Sequence, residues 1–173
     1  MKRIGIILTS DNRSKGYLQK IISNNIKIDS IIFMNNNKHN KECSNEEKEI
    51  SIQYGFNISE SVKDTLNKHK IDYHEFNFVD INHPSLIEYL KKSNIDFCIF
   101  TGGGILEKDV LKSGPKFIHL PPGIVPEYRG STCFYYSMIN EDECGVTAYI
   151  MNEGLDTGPI IHHQIFSKPN HIF

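Results

Sequence analysis

Short apolar runs alternate along this chain with amphipathic segments, and this alternation limits the folds that the chain can adopt. The apolar runs lie at 4–8, 30–34, 72–76, 97–100, 117–120, 146–150 and 160–165. Strands that are buried on both faces read as short continuous apolar runs, and the helices between them supply the cover. The sequence therefore predicts an α/β protein with a mostly parallel sheet and helices on both faces.

The amphipathic segments predict where the helices lie. Apolar residues recur at helical spacing over 16–25, so a helix is expected after a loop at 10–16. Ser44 with Glu47 three residues later is the capping-box pattern, and the polar run 35–42 before it is typical of an exposed loop. Further helices are expected at 62–66, from His83 or Pro84 to 90, at 107–111 and at 133–139, the last with Ser131 as N-cap.

Composition limits the partners and the location of the protein. A chain of 173 residues with 39% hydrophobic residues suits one domain, over 1–173. A formal net charge of -2 gives no basic field, so a small-molecule partner is expected and nucleic acid is not favoured. The first apolar run is a strand rather than a signal, and no run approaches the ~20 residues that cross a bilayer, so we expect a cytoplasmic protein without membrane contact.

The four cysteines stand at wide, irregular spacing, with no Cys-x-x-Cys pair and no His/Cys cluster at zinc-site distances. We interpret them as reduced thiols and expect no metal site. Cys133 follows the loop 119–131, where a helix N-terminus lowers the pKa of a thiol, but a buried thiol packed under the loop is the favoured interpretation.

Glycine and proline concentrate in the segment 101–158, which contains three candidate ligand loops. Gly102 to Gly104 follow a predicted strand and allow close approach of the backbone to a ligand. The spacing is not the dinucleotide fingerprint, and a plain turn stays an alternative. Asp156, flanked by Gly154 and Gly158, stands either in a ligand loop or in a turn where it binds its own backbone.

The stretch HLPPGIVPEYRGS contains two candidate functional side chains. Pro121 and Pro122 stop a strand, so His119 is expected at a strand's carboxyl end, which is where doubly wound sheets bind ligands. Structural roles stay open for both side chains: His119 as a packed strand residue, and Arg129 as a residue that fixes the loop through a carboxylate.

Residues 96–161 resemble the folate-dependent formyltransferases, which include the glycinamide ribonucleotide, methionyl-tRNA and amino-sugar enzymes. The similarity is carried by GGGIL with VLKSGPKFI, by IVPEYRGS and by CGVTAYIMNEGLDTGPII. It implies a formyltransferase-like, Rossmann-like sheet, and an enzyme that transfers a formyl group from 10-formyltetrahydrofolate to a small-molecule amine.

The resemblance also implies roles for individual residues. Those expected to line the folate pocket are Gly103, Gly104, Ile105, Leu106, Leu155 and Asp156. Those expected to bind the acceptor are Ser14, Lys15, Gly16, Gly123, Arg129 and Gly130. The catalytic residues are expected to be His119, as acid/base and oxyanion donor, and Asp156 as its partner.

The chain departs from the family at the usual Asn-x-His pair. Aligned without gaps on Pro126 and Arg129, the pair reads His119-x-Pro121, and a slip of two residues that restores the His leaves the loop too long. Three interpretations stay open. His119 replaces the pair, with Asp156 favouring its protonated form; the domain binds folate or substrate without catalysis; or water replaces the amine and the donor is hydrolysed.

The acceptor expected from the resemblance is an amino sugar attached to a nucleotide. The sequence shows no second domain for tRNA, and 10–16 does not reproduce the purine enzyme's phosphate loop. Family members continue beyond the position of Phe173 with a helix that closes the sheet. Either the domain is truncated at its C-terminus, or a partner subunit completes it, which keeps a homo-oligomer open.

Overall fold

A computed structural model of the protein describes residues 1–35, 43–130 and 132–168. Within these residues the chain forms a seven-stranded sheet with the strand order β3-β2-β1-β4-β5-β6-β7. The strands are β1 (Ile4–Thr9), β2 (Ser30–Met34), β3 (His74–Phe76), β4 (Phe97–Phe100), β5 (Lys116–His119), β6 (Glu143–Ile150) and β7 (Ile160–Ser167). Each of them overlaps a predicted strand, and the α/β prediction is confirmed.

Helices connect these strands. They are α1 (Asn12–Ser23), α2 (Asn45–Gln53), α3 (Val62–Lys68), α4 (Pro84–Lys92), α5 (Lys108–Leu111) and α6 (Cys133–Glu141). The capping box of Ser44 and Glu47 is present, and the His83 imidazole caps α4. The predicted loop at 36–42 and the predicted N-cap at Ser131 lie outside the described residues, and Thr132 occupies the N-cap position of α6.

The start of α1 differs from the prediction. The side chain of Asp11 accepts a hydrogen bond from the Ser14 N–H, so Asp11 is the N-cap and the helix begins at Asn12 rather than near Gly16. The predicted loop at 10–16 is therefore wrong over most of its length. Sequence periodicity did not reveal this first turn, because Asn12 and Arg13 are polar and exposed.

Five strands of the sheet pair in parallel, and only β6 runs in the opposite direction to the other strands. β1 lies between β2 and β4 with both neighbours parallel, whereas β6 pairs antiparallel with β5 and with β7. In the β5–β6 ladder His119 lies opposite Tyr149. The reversal of β6 thus places Tyr149 beside the predicted catalytic histidine.

Apolar cores cover the two faces of the parallel part of the sheet. One core packs α1 and α3 against the sheet through Ile6, Leu8, Leu18, Phe33 and Leu66. The other packs α4 and α5 through residues that include Ile7, Met34, Leu86, Phe100 and Phe117. Each fully buried side chain of this size contributes about 1.5–3 kcal/mol, so the carboxyl ends of β1, β4 and β5 stand on rigid strands.

The order of the strands reverses between β1 and β4, whose connections leave in opposite directions. A crevice opens at the carboxyl ends of strands at such a point, and ligands bind there in open α/β sheets. Among the described residues, no helix combines the length and apolar character that crossing a bilayer requires.

Candidate active site

A cavity of about 540 Å³ lies beyond the carboxyl ends of β4 and β5. Its walls come from the glycine-rich segment after β4, the loop after β5, α1 and the turn after β6. The residues that line it include Arg13, Gly102, Gly103, Gly104, Leu106, His119, Pro121, Gly130, Tyr149, Leu155 and Asp156. All three loops that the sequence singled out therefore meet at one cavity.

His119 ends β5 and faces this cavity. Its Nδ1 lies 2.8 Å from the carbonyl oxygen of Phe100. Because a carbonyl oxygen only accepts, Nδ1 carries the proton and Nε2 keeps its lone pair in the neutral ring. The imidazole is oriented by the backbone and presents a base to the cavity.

The pKa of His119 is lower than the ordinary 6.5. Burial of the imidazole is the largest cause; the hydrogen bond to Phe100 opposes it, the charge of Arg13 adds to it, and the charge of Asp156 opposes it. The charge of Asp156 acts in the predicted direction, towards the protonated form, but desolvation of the imidazolium outweighs it and the net pKa is lowered. His119 is neutral near pH 7.

Asp156 is buried, with 8% of its surface exposed, and both of its carboxylate oxygens accept hydrogen bonds. Oδ1 accepts from the Tyr149 hydroxyl at 2.7 Å, and Oδ2 accepts from the Gly130 N–H at 2.8 Å. The carboxylate thus joins β6 to the loop after β5 instead of bonding within its own turn. Among the described residues it makes no direct hydrogen bond to His119, although its charge raises the pKa of the imidazole; the catalytic partnership of the two stays a prediction.

The residues expected to line the folate pocket lie together along the cavity. They are Gly103, Gly104, Ile105, Leu106, Leu155 and Asp156. Ile105 and Leu155 are largely exposed, so apolar surface is open to a ligand there. A Cβ at Gly103 would meet no atom within 4 Å, which shows that the backbone borders open space. Binding of folate by these residues stays a prediction.

Three of the six residues that were predicted to bind the acceptor lie in the loop after β5, and only one of these three lines the cavity. Gly130 lines the cavity and donates to Asp156. Gly123 does not line it; a Cβ there would collide with Cys133 Sγ and with the Tyr128 carbonyl oxygen, so its glycine serves close packing. Arg129 is exposed, does not line the cavity and makes no ion pair within the described ranges.

Ser14, Lys15 and Gly16 are helical and do not line the cavity, contrary to the predicted phosphate-type loop. Ser14 is fully buried and its Oγ accepts from the Thr9 N–H and contacts Thr101 Oγ1 at 2.6 Å. The ammonium of Lys15 donates to the Ile58 carbonyl oxygen. The N-cap at Asp11 turns these polar groups inward, where Ser14 ties α1 to β1 and Lys15 ties α1 to the segment before α3.

Sequence reasoning missed Arg13 and Tyr149, which both line the cavity. Arg13 had no signal, because the start of α1 was placed too late. Tyr149 had one: it alternates with Gly145 and Thr147 on the inner face of β6, seven residues before Asp156. A tyrosine in a buried strand reads as core, and so it was not singled out.

Thr147 fixes the loop that follows β5. Its hydroxyl donates to the Gly123 carbonyl oxygen at 2.7 Å and accepts from the Val125 N–H at 3.0 Å. The Thr147 N–H contacts the Pro121 carbonyl oxygen at 3.4 Å. The path of the loop is therefore set by β6 and by backbone groups. Pro121 presents a ring where the resemblance places an imidazole.

The cysteine next to the loop is structural, as interpreted from the sequence. Cys133 is buried at the start of α6, its Sγ contacts the Pro122 carbonyl oxygen, and burial raises the pKa of its thiol. Over residues 1–35, 43–130 and 132–168, no group of three or more His, Cys, Asp or Glu side chains is arranged to hold a metal ion.

The class that these features define is an α/β protein with a doubly wound sheet, whose carboxyl-end cavity contains an imidazole and a buried carboxylate. Sequence comparison gives the family. The formyl transferase family model matches residues 2–167, and the chain belongs to this family, as the resemblance predicted.

The curated relatives that match this chain include methionyl-tRNA formyltransferases. The protein from Agathobacter rectalis is 38% identical over 104 residues, which are 58% of this chain and 33% of the relative. The protein from a Sulfurovum species is 36% identical over 110 residues, which are 62% of this chain and 35% of the relative. The chain spans about a third of the length of these relatives.

Solved structures of formyltransferases share the fold. Phosphoribosylglycinamide formyltransferase from Bacillus halodurans superposes with a TM-score of 0.67 at 17% identity, over 99% of this chain and 83% of that chain. An N-formyltransferase from Helicobacter canadensis, solved with folinic acid and dTDP-3-aminofucose, gives 0.58 at 19% identity, over 96% and 53%. At these identities the likeness shows the fold alone.

Proposed function

We propose that the protein transfers a formyl group from 10-formyltetrahydrofolate to the amine of a small molecule. The observation that carries this proposal is the neutral imidazole of His119, which is held by Phe100 and shares a cavity with the buried carboxylate of Asp156. Membership of the formyl transferase family supports the formyl group and its folate donor.

The reaction needs a base, and His119 supplies one. The amine lone pair attacks the formyl carbon, and the amine proton passes to Nε2 of His119. The C–N bond to folate N10 then breaks, and the imidazolium returns the proton to N10, so that formyl-amine and tetrahydrofolate leave. The negative charge of Asp156 favours the transient imidazolium, which is the direction in which it acts on the His119 pKa.

The cavity offers the donor a mostly backbone and apolar wall. Gly103 and Gly104 bring peptide groups to the ligand without side chains, and Leu106, Ile105 and Leu155 offer apolar surface to a flat ring. Pro121 supplies no side-chain donor, so the oxyanion of the tetrahedral intermediate depends on backbone N–H groups or bound water. Losing one such donor costs about 10²–10³ in rate, and we expect a slow enzyme.

A nucleotide-linked amino sugar is the acceptor class that we propose. Support comes from the Helicobacter canadensis N-formyltransferase, which shares the fold and was solved with a nucleotide sugar. Arg13 lines the cavity and could pair with an anionic group of such an acceptor. The names of the curated relatives point to methionyl-tRNA instead, so it belongs among the acceptors to be compared.

Hydrolysis of the donor is the second candidate. A formyltetrahydrofolate deformylase from Pseudomonas syringae shares the fold with a TM-score of 0.60 at 14% identity, over 98% of this chain and 52% of that chain. A lone base such as His119 activates water as readily as it deprotonates an amine. The two reactions differ only in the nucleophile that reaches the formyl carbon.

The test is to incubate the purified protein with 10-formyltetrahydrofolate, with and without amine acceptors, and to quantify tetrahydrofolate, formate and formyl-amine. Formyl-amine that forms only with acceptor supports transfer, whereas formate without acceptor identifies a hydrolase. Calorimetry with a stable folate analogue, with Asp156→Asn as control, separates a silent binding module from a protein with no folate site. Absence of both binding and turnover would overturn the proposal.

A further inference from the structure

Tyr149 joins the two groups to which the proposed function assigns chemistry. Its hydroxyl donates to Oδ1 of Asp156 at 2.7 Å, and its ring meets the ring of His119 edge-on, with centroids 6.1 Å apart at 87°. Only 2% of its surface is exposed, yet it lines the cavity. Asp156 and His119 do not bond to each other, so Tyr149 is the side chain that contacts both.

The backbone of Asp156 needs support from outside its own turn. Its φ is +50°, in the left-handed region that non-glycine residues rarely adopt. The two hydrogen bonds to the carboxylate come from Tyr149 and from Gly130, which lie on different segments of the chain. The tyrosine hydroxyl is therefore the only side-chain group among the described residues that orients this carboxylate.

Tyr149 lies beside a β-bulge in the pairing of β6 with β7. The register of β6 against β7 shifts between Ala148 and Tyr149, where Tyr149 pairs with Ile160. The residue left unpaired is Ile161 of β7, so the bulge bends β7 where that strand passes Tyr149. A Cβ at Gly158 would collide with the Ile150 carbonyl oxygen and would lie 3.2 Å from the Tyr149 ring, so the turn closes tightly around this ring.

We propose that Tyr149 is a positioning residue of the site: its hydroxyl holds the Asp156 carboxylate and its ring packs against His119. This inference rests on the proposed function. Pro121 has no polar side chain that could help to orient the groups of the site, and the inference gives part of that task to Tyr149 in β6. The contact is charge-assisted and buried, and contacts of this kind are about twice as strong as neutral hydrogen bonds.

The test compares Tyr149→Phe with Asp156→Asn and with the double variant. Tyr149→Phe keeps the ring and removes the hydroxyl, and we expect kcat to fall by about 10- to 100-fold with KM for the formyl donor changed less than roughly threefold. If the hydroxyl acts through the carboxylate, adding Tyr149→Phe to Asp156→Asn costs little more, because the group that it positions is already gone.

A matched control is Tyr128→Phe. The Tyr128 hydroxyl also donates to a carboxylate, that of Glu141 at 2.9 Å, but outside the cavity. We expect this variant to keep the kinetic constants of the unaltered protein. Thermal unfolding of every variant identifies losses that come from misfolding.

The Kd of a stable folate analogue is measured for the same two single variants and the double variant, because Asp156 lines the donor cavity. Non-additive losses in kcat or in Kd support the positioning role. Additive losses, or a Tyr149→Phe variant with unaltered kcat and Kd, would overturn it and leave Tyr149 as packing. Coupling in Kd without formyl transfer by the unaltered protein would instead overturn the proposed function and keep the role of Tyr149.

Discussion

His119 donates its Nδ1 proton to the carbonyl oxygen of Phe100, 2.8 Å away at the end of the neighbouring strand. The sequence predicted His119 as acid/base and oxyanion donor, and this contact leaves Nε2 as the ring atom available for either role. With Nδ1 occupied and the pKa of the imidazole lowered by burial, we expect the ring to act in the proposed transfer as an acceptor of the amine proton. It becomes a donor only after that step.

Replacing His119 with Gln should remove the base and leave a polar side chain of similar reach. General-base catalysis contributes about 10²–10⁴ to the rate, so we expect kcat for formyl transfer to fall by that range. Steady-state kinetics measure the loss, and calorimetry with a folate analogue checks that the cavity still binds. A variant that retains its full kcat would show that another group takes the proton.

The pH dependence follows from the direction of the His119 pKa shift. Only the neutral imidazole accepts a proton, and burial lowers its pKa, so the acid limb of kcat/KM should lie at lower pH than an ordinary histidine would give. Arg13 contributes to this lowering, so Arg13→Gln should raise the pKa and move the acid limb to higher pH. A pH profile of kcat/KM at low salt measures both, since salt screens the exposed guanidinium.

Lys20→Gln is the control for Arg13→Gln in the pH profile. Lys20 is a cation on the same helix, but it is not among the charges that shift the pKa of His119. An equal shift of the acid limb in both variants would show that the net charge of the protein, rather than the charge of Arg13 close to His119, lowers the pKa of His119. The pKa of His119 is lower in the folded protein than in the unfolded chain, so the unfolded chain takes up the proton first as the pH falls. His119 therefore contributes to stability at a pH above its unfolded pKa, and this contribution is lost as the pH falls through the folded pKa.

A pair of glycine substitutions separates the donor cavity from the predicted phosphate loop. Gly103→Ala should leave the free energy of unfolding nearly unchanged, because no atom lies within 4 Å of the added methyl, but should weaken folate binding by narrowing the cavity. Gly16→Ala should stabilise α1 by up to about 1 kcal/mol and leave binding intact. Denaturant titration and calorimetry measure these effects. Weaker folate binding in Gly16→Ala would show that this part of α1 contributes to the donor site, contrary to the structure.

The strands could be predicted from the sequence to within a few residues, because buried parallel strands read as apolar runs. The direction of β6 could not, since periodicity does not encode strand direction. The start of α1 was missed because its first turn is polar, and with it the position of Arg13. His119 and Asp156 were found because proline and glycine mark the loops around them.

Two features of the site required three-dimensional information. The protonation of His119 depends on whether burial or the charge of Asp156 has the larger effect, and neither is readable from spacing. Tyr149 becomes a site residue only because the reversal of β6 places it opposite His119 and the turn brings Asp156 back to it.

Thr147→Val should destabilise the loop after β5. The variant has nearly the same shape but leaves the Val125 N–H and the Gly123 carbonyl oxygen without their partner, and an unmet buried group costs about 1–3 kcal/mol. Urea titration measures the change. Thr157→Val, at an exposed threonine, should stay within about 0.5 kcal/mol. An unchanged free energy in Thr147→Val would mean that the loop is held by its prolines instead.

The loop that carries the family's usual catalytic pair owes its path to Thr147 and to backbone groups rather than to the side chains at 119 and 121. Substitutions at these two positions therefore alter the reactive groups while the peptide that presents them stays in place. We expect a domain held in this way to accept changes of the side chains at 119 and 121 without first losing its fold. Scaffolds that tolerate such exchanges are the ones on which natural selection can build new reactions.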